Sequence, residues 1–173
     1  MLIRSLQSED FKDVEKLIRE SFSNTEYGYE NEAELVERLR QESHYNQMLE
    51  VVAISDNQII GHGLLSEIKV ADEDRKWIGL ALAPIEVSPQ SQRRGYGKAL
   101  IKELEKRAVE LGYAFIIILG HPEYYRKLGY QLASSYQIHA PFDVPEEAFM
   151  AKEVIDEGLQ NVHGVVQYSD AFQ

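Results

Sequence analysis

The chain has 173 residues, of which 44% are hydrophobic, and its formal net charge is −11 at pH 7. This length predicts one globular domain that spans residues 1–173. The excess of acidic residues argues against nucleic acid as a partner and favours a cationic one, such as an amine. Since there is no cysteine, disulfides, thiolate metal sites and a cysteine acyl-enzyme are excluded.

The remaining composition favours a protein without metal or membrane partners. The five histidines, at positions 44, 62, 121, 139 and 163, show no metal-ligand spacing. No apolar run approaches the roughly 20 residues that a membrane span needs. The first residues do not have the layout of a signal peptide. We therefore expect a soluble, cytoplasmic protein.

The first half of the chain predicts strands and two helices. Leu2–Leu6 resembles a short strand, and Ser8 is the expected N-cap of a helix that follows it. A second helix is expected over residues 31–41. Two strand runs at 48–54 and 59–70 flank a hairpin signal, and a fourth strand starts at Trp77 and reaches Val87. These strands predict an antiparallel meander.

The second half predicts a helix between two parallel strands. Past Gly97, apolar residues recur at steps of four, four and three, which is one face of a helix; they are Leu100, Leu104, Ala108 and Leu111. The run 114–119 is continuously apolar and predicts a strand covered on both faces. A strand–helix–strand link implies parallel pairing with the fourth strand. The expected fold class is α/β, a mixed sheet with helices on both faces.

The loop before this helix has the features of an anion site. Gly95 and Gly97 lack a Cβ, so the backbone there can turn sharply and approach a ligand closely. The helix that follows presents unpaired N–H groups and the positive end of its dipole, which commonly bind phosphate. Arg93, Arg94 and Lys98 add full positive charges to an otherwise acidic chain.

Two common phosphate-binding loops do not fit these residues. A P-loop requires a glycine where Gln92 stands and a hydroxyl where Ala99 stands, and a dinucleotide fingerprint requires a glycine at Leu100. The segment Gln92-Arg-Arg-Gly-Tyr-Gly97 resembles instead the coenzyme A pyrophosphate loop of the GCN5-related N-acetyltransferase (GNAT) superfamily. A glycine-containing loop that merely joins strand to helix is the alternative.

A second segment carries the same resemblance. Tyr124-Tyr-Arg-Lys-Leu-Gly-Tyr130 is similar to the element that follows the fifth strand in GNAT enzymes, and the two motifs with their connecting elements span about residues 77–133. Leu82-Ala-Pro84 and Leu119-Gly-His-Pro-Glu-Tyr-Tyr125 resemble a bacterial branch of predicted N-acetyltransferases. Ile118 stands where many members carry an asparagine that contacts the cofactor, so that contact is not transferred to this chain.

The resemblance implies a fold and a reaction. The fold is a central mixed sheet of about seven strands, antiparallel except for the parallel fourth and fifth strands. The reaction moves an acetyl group from acetyl-CoA to a primary amine by direct attack in a ternary complex, without a metal. The acceptor is a small molecule or a peptide, and homodimers are common in the superfamily. A non-catalytic acyl-CoA sensor or interaction module is the alternative function.

The resemblance also assigns residues. Tyr125 is the expected acid for the leaving thiolate, or a hydrogen-bond donor to it. The main chain of Ile85, Glu86 and Val87 is expected to pair with the pantetheine arm, with the Val87 N–H facing the thioester oxygen. The residues expected to hold the pyrophosphate are Gln92, Arg93, Arg94, Gly95, Tyr96, Gly97 and Lys98.

The general base has two candidates. Glu86 is a suitable base if its side chain is desolvated, and His121, at the end of the fifth strand, could pass the proton through water or simply cap the next helix. Alternation along the strand places Glu86 on the face opposite Ile85 and Val87, but the sequence does not determine which face is the cleft.

Overall fold

The computed structural model describes residues 1–25 and 28–173. The helices are α1 (Phe11–Ser23), α2 (Glu32–Arg40), α3 (Tyr96–Glu110) and α4 (Pro122–Lys127). The strands are β1 (Leu2–Ser5), β2 (Glu50–Ser55), β3 (Gln58–Ala71), β4 (Lys76–Val87), β5 (Phe115–Leu119), β6 (Gln131–Leu132), β7 (Ile138–His139), β8 (Phe149–Glu153) and β9 (Gly164–Gln167). Within the described ranges, no helix is both long and apolar enough to cross a membrane.

The chain forms two compact units, which share strands β3 and β4 and helix α3. The first unit comprises Met1–Leu65 and Ala83–Arg107, and the second comprises Ser66–Leu82 and Ala108–Gln173. Each unit therefore contains part of a sheet and the helices that cover it.

The first unit contains an antiparallel sheet with helices on both faces. Strand β2 pairs with β1 and with β3. A Cβ atom at Gly61 would lie 2.9 Å from Leu100, and one at Gly63 would lie 2.9 Å from Leu104, so α3 lies directly on the sheet there. His62, between the two glycines, points to the opposite face. That face carries α2, whose last residue, Arg40, binds a carboxylate beside His62.

The second unit contains the parallel pair. Strands β4 and β5 run parallel from Leu80 opposite Ile116 to Leu82 opposite Ile118. Strand β8 is antiparallel to β5 and to β6, while β9 is antiparallel to the end of β3. The residues of β5 from Phe115 to Ile118 are buried, which agrees with their continuous apolar run.

The predicted α/β mixed sheet with parallel fourth and fifth strands is confirmed. Two details differ. The described residues form nine strands instead of about seven, and the two-residue strand β7 pairs in parallel with β9. Ser8 is not the N-cap that we expected, because a short 3₁₀ turn over Ser8–Asp10 precedes α1. The Gln7 N–H donates to the Asp10 carboxylate at 2.8 Å, and Arg4 holds the same carboxylate, which fixes the turn.

Candidate active site

The end of strand β4 leaves main-chain groups on the edge away from β3. The Ser88 N–H donates to the Ile60 carbonyl at 2.8 Å, so Ser88 faces β3. Because the backbone groups of successive strand residues point to opposite edges, those of Val87 and Ile85 point away from β3. Pro84, which precedes them, has no N–H to donate. This edge could accept an extended ligand as an added strand.

The loop at residues 92–98 has the geometry of an anion site. Arg93 has φ +64° and Gly95 has φ +85°, so the backbone turns through the left-handed region before α3 begins. The Ala99 N–H donates a helical hydrogen bond to the Gly95 carbonyl at 3.1 Å. The backbone N–H groups just before Ala99 lie in the first turn of α3, where they have no acceptor within the helix. A Cβ at Gly95 would meet nothing within 4 Å, so space beside the loop is open. Arg93 and Lys98 are exposed cations there.

The loop is tied to the end of β4 through one carbonyl. The Gln92 side-chain amide donates to the Val87 carbonyl at 3.2 Å, and the Ser21 hydroxyl donates to the same carbonyl at 3.3 Å. The predicted residues Ile85–Val87 and Gln92–Lys98 thus lie together in the first unit.

Glu86 is a buried carboxyl rather than an exposed one. Its side chain lies on the face opposite α3, whereas Ile85 packs near Gly63 on the α3 face. Glu86 Oε1 lies 2.5 Å from Nδ1 of His62, and His62 Nε2 lies 2.7 Å from Oε1 of Glu50. Among the described residues, Glu86 Oε2 has no hydrogen-bond partner. Glu86 therefore lies on the face of the sheet opposite α3.

Glu50 is held from its other side by two further groups. The Arg40 guanidinium donates to both carboxylate oxygens of Glu50, with a shortest distance of 2.7 Å, and the Tyr45 hydroxyl donates to Oε2 at 2.6 Å. We call the set Glu86, His62, Glu50, Arg40 and Tyr45 the buried ionic chain.

Burial and pairing set the pKa values in the buried ionic chain. Burial raises the pKa of Glu86. For Glu50, burial acts in the same direction, but hydrogen bonds from His62 and Arg40 outweigh it and lower the pKa to about 2. Burial would lower the pKa of His62, but the charge of Glu86 and the bonds to both carboxylates raise it to about 9. Hydrogen bonds and opposite charges therefore counteract the effect of burial at Glu50 and His62.

Sequence analysis identified Glu86 but missed its partners. His62 lies 24 residues before Glu86 and 12 residues after Glu50 in the chain. The sequence feature that could have indicated these partners is a histidine in the middle of an apolar strand, because a buried polar side chain requires hydrogen-bond partners.

Tyr125 lies in the second unit and is packed among aromatic rings. Its ring makes edge-to-face contacts with Tyr124, at a centroid distance of 5.0 Å, and with Tyr130, at 5.8 Å. A Cβ at Gly120 would lie 2.5 Å from the Tyr125 ring, so this glycine makes room for it. Burial raises the pKa of Tyr125, which keeps its hydroxyl protonated near neutral pH.

His121 precedes Tyr125 by one helical turn. Its carbonyl accepts a hydrogen bond from the Tyr125 N–H at 3.2 Å, at the start of α4. The His121 side chain is exposed and does not cap that helix through a hydrogen bond. Within residues 1–25 and 28–173, no group of three or more acidic or histidine side chains is arranged to hold a metal ion.

The buried ionic chain predicts how stability changes with pH. The pKa of His62 is about 9 in the folded protein against an ordinary 6.5, so its charged form stabilises the fold fully below about pH 6.5. That stabilisation is lost as the pH rises through 9. We expect the free energy of unfolding, measured by urea denaturation, to fall by about 3 kcal/mol over this window.

The matched control is the double variant His62→Gln, Glu86→Gln, which removes both charges of the pair. Its unfolding free energy should be flat between pH 6.5 and 9. A wild-type curve that is equally flat would show that His62 is uncharged in the folded protein.

Comparison with known proteins identifies the family. The model of the Acetyltransferase (GNAT) family matches residues 11–130. The N-acetyltransferase YhbS of Escherichia coli (strain K12) is 32% identical over 173 residues, which covers 99% of this chain and 98% of YhbS.

Solved structures agree with this match. The crystal structure of E. coli YhbS in complex with CoA superposes with a TM-score of 0.87 at 31% identity, covering 99% of this chain and 91% of YhbS. A GNAT family acetyltransferase from Brucella melitensis in complex with acetyl-CoA gives a TM-score of 0.79 at 24% identity, covering 99% and 97% of the two chains, and shares the fold. The chain therefore belongs to the GNAT family of N-acetyltransferases.

Proposed function

We propose that this N-acetyltransferase moves the acetyl group of acetyl-CoA to a cationic primary amine by direct attack in a ternary complex. The observation that carries the proposal is the loop at 92–98, whose left-handed backbone opens α3 beside exposed cations. CoA in YhbS and acetyl-CoA in the B. melitensis relative support the same donor here.

The loop fits a diphosphate for physical reasons. Unpaired amides at a helix start and open space beside Gly95 allow phosphate oxygens to approach the backbone. The side chain of Gln92 is bonded to the Val87 carbonyl, so Gln92 would contribute through its main chain. The cations that would face the phosphates are Arg93, Arg94 and Lys98.

The outer edge of β4 would hold the pantetheine arm. Ile85 and Val87 direct their main-chain groups away from β3, and an extended amide-bearing chain can pair with such groups. In this arrangement the Val87 N–H is the donor to the thioester oxygen, which gains negative charge as the amine attacks.

The reaction requires two proton transfers. Acetyl-CoA supplies the thioester whose carbonyl carbon the amine attacks, so that a C–N bond forms and the C–S bond breaks. Glu86 takes a proton from the acceptor's ammonium group and frees its lone pair. After the attack the nitrogen loses a second proton, which ends on the departing thiolate. Burial keeps Tyr125 protonated, so its hydroxyl donates a hydrogen bond to that thiolate, or donates its proton and regains one from the nitrogen.

The acceptor class follows from charge. A net charge of −11 favours a cation in solution, and such an amine, with a pKa near 10, must lose a proton before it attacks. A screen of amines, monitored by thiol release, tests the proposal. If none of the amines in the screen is acetylated, the acyl-CoA sensor is favoured instead.

Four further expectations remain predictions from the sequence. They are a single domain over residues 1–173, a cytoplasmic location, a homodimer and the exclusion of nucleic acid.

The cofactor loop gives the first prediction of this function. Gly95→Val should weaken acetyl-CoA binding by at least tenfold in calorimetry, because a β-branched residue resists φ +85° and displaces the amides of the loop.

Gly112→Val is the matched control for this variant. Gly112 has φ +89° and equally open surroundings, but it follows the other end of α3. It should lose similar stability and keep its affinity for acetyl-CoA. Equal affinities in the two folded variants would contradict the role of the loop.

Tyr125→Phe should retain acetyl-CoA binding and lose about a hundred- to ten-thousand-fold in turnover, because only the hydroxyl is removed. The control is Tyr124→Phe, the same change on the neighbouring ring, which is 43% exposed. Turnover at the wild-type rate in Tyr125→Phe would make this tyrosine structural.

Glu86→Gln and His121→Gln distinguish the two candidate bases. The pH–rate profile at saturating amine should lose its acidic limb in Glu86→Gln and keep it in His121→Gln. Since burial raises the pKa of Glu86, the wild-type limb should lie above the usual carboxyl range. If only His121→Gln loses the limb, His121 is the base. If both variants keep it, the amine loses its proton directly to solvent.

A further inference from the structure

His62 occupies an unusual position, because both of its ring nitrogens contact carboxyl oxygens. Its side chain is completely buried on strand β3. Nδ1 contacts Glu86 Oε1 at 2.5 Å, and Nε2 contacts Glu50 Oε1 at 2.7 Å. Ionised carboxylates only accept hydrogen bonds, and a neutral imidazole has a single N–H. The two contacts therefore require one proton more than a neutral histidine between two carboxylates would carry.

Because Arg40 and Tyr45 donate to Glu50 and keep it ionised, two placements of that proton satisfy both contacts. In the first, His62 is an imidazolium that donates to two carboxylates. In the second, His62 is neutral, donates to Glu50, and accepts a hydrogen bond from a protonated Glu86. Glu86 is able to act as a base in the first placement only.

The surroundings of Glu50 favour the imidazolium. Glu50 accepts hydrogen bonds from the Arg40 guanidinium on α2 and from the Tyr45 hydroxyl, so it is stable as an anion. A fixed anion on Nε2 and the carboxyl of Glu86 on Nδ1 both attract positive charge to the ring. Both placements leave the set Glu50, Glu86, Arg40 and His62 neutral overall, so the preference comes from the fixed anion Glu50 beside the ring and not from net charge.

The free oxygen of Glu86 completes the geometry. His62 engages Oε1, whereas Oε2 is buried and unpartnered among the described residues, and the Glu86 side chain is only 2% exposed. A buried carboxylate oxygen without a hydrogen-bond partner costs free energy, and a group that donates to it during catalysis would supply that partner. An acceptor's N–H is such a group.

We propose that His62 is a positioning residue, which as an imidazolium holds Glu86 ionised and turned so that Oε2 remains free to take the acceptor's proton. This inference rests on the proposed role of Glu86 as the base. Arg40 and Tyr45 act one step further away, because they fix Glu50 and so hold the imidazole in place.

The positive charge of His62 affects the pH dependence of turnover through the pKa of Glu86. Burial raises the pKa of Glu86, while the adjacent positive charge of His62 counteracts that rise. Without the imidazolium the pKa of Glu86 should rise further, since a nearby opposite charge lowers the pKa of a carboxyl.

The first test reads the proton directly, without activity. Two-dimensional ¹H–¹⁵N spectra of the wild-type imidazoles at pH 7.5–8 should show both nitrogens of His62 protonated, with the signals assigned by their loss in His62→Gln. A single N–H, on Nε2 only, would place the proton on Glu86 and overturn the proposal.

The second test uses turnover. His62→Gln keeps a donor for Glu86 Oε1 but removes the charge. We expect its acidic limb to move up by about 1–3 pH units, so that the rate below the limb falls about ten- to a thousandfold, while the KM for acetyl-CoA is unchanged. The control, His139→Gln, changes an exposed histidine on β7 and should leave the limb in place. A folded His62→Gln with an unmoved limb would overturn the positioning role.

Different results would overturn the base role of Glu86 and the positioning role of His62. If Glu86→Gln keeps the wild-type profile, Glu86 is not the base, and the role of His62 is overturned with it. If Glu86→Gln loses the limb but His62 is neutral in the spectra, the base assignment stands and only the role of His62 is overturned. Should His62→Gln fail to fold, single His→Gln changes at positions 44, 121, 139 and 163 assign the other four signals, and the remaining wild-type signal, that of His62, decides between the two proton placements.

Discussion

The contact of one buried imidazole with two carboxyls links several elements of the first unit. His62 joins β2 to β4 through side chains, and Arg40 extends the same chain to α2. Removing one partner from such a set leaves an uncompensated buried charge, which typically costs about 3–5 kcal/mol. The positions of four elements, β2, β3, β4 and α2, are therefore coupled through charge. The glycines on either side of His62 let α3 pack closely on the other face of β3.

The strand β4 connects this charge chain to the anion loop. Its residues alternate in direction, so Glu86 enters the buried ionic chain while Val87 directs its main chain to the outer edge. The Val87 carbonyl then accepts the side chain of Gln92, which fixes the start of the loop. The proposed base, the proposed oxyanion donor and the proposed phosphate site therefore lie along one short stretch of backbone. This explains how 13 consecutive residues, 86–98, could supply most of the site in the first unit.

Features formed by residues that are close together in the sequence could be predicted, whereas contacts between residues that are far apart in the sequence could not. The loop at 92–98 and the segment around Tyr125 are contiguous motifs, and the parallel pairing of β4 with β5 follows from one apolar run and one helix. The partners of Glu86 could not be predicted in this way, because Glu50 and His62 are paired by side chains across strands. The start of α1 was predicted wrongly because the Asp10 carboxylate, and not the Ser8 hydroxyl, makes the hydrogen bonds that fix the turn before the helix, with Arg4 and the Gln7 N–H as donors. Strand β7 has two residues and no detectable period.

The opposing effects on Glu86 also explain why a charged partner suits this position better than an apolar one. Burial alone makes a carboxylate a stronger base, but strong desolvation leaves it protonated near neutral pH, when it can no longer accept a proton. A neighbouring imidazolium restores the ionised form without exposing the group to water. The imidazolium in turn needs a second anion that keeps its charge, and Glu50 provides this because Arg40 and Tyr45 hold it ionised. Under this proposal each charge in the buried ionic chain is required by the one before it, and the series begins at Glu86, the proposed base, which must be buried and still ionised.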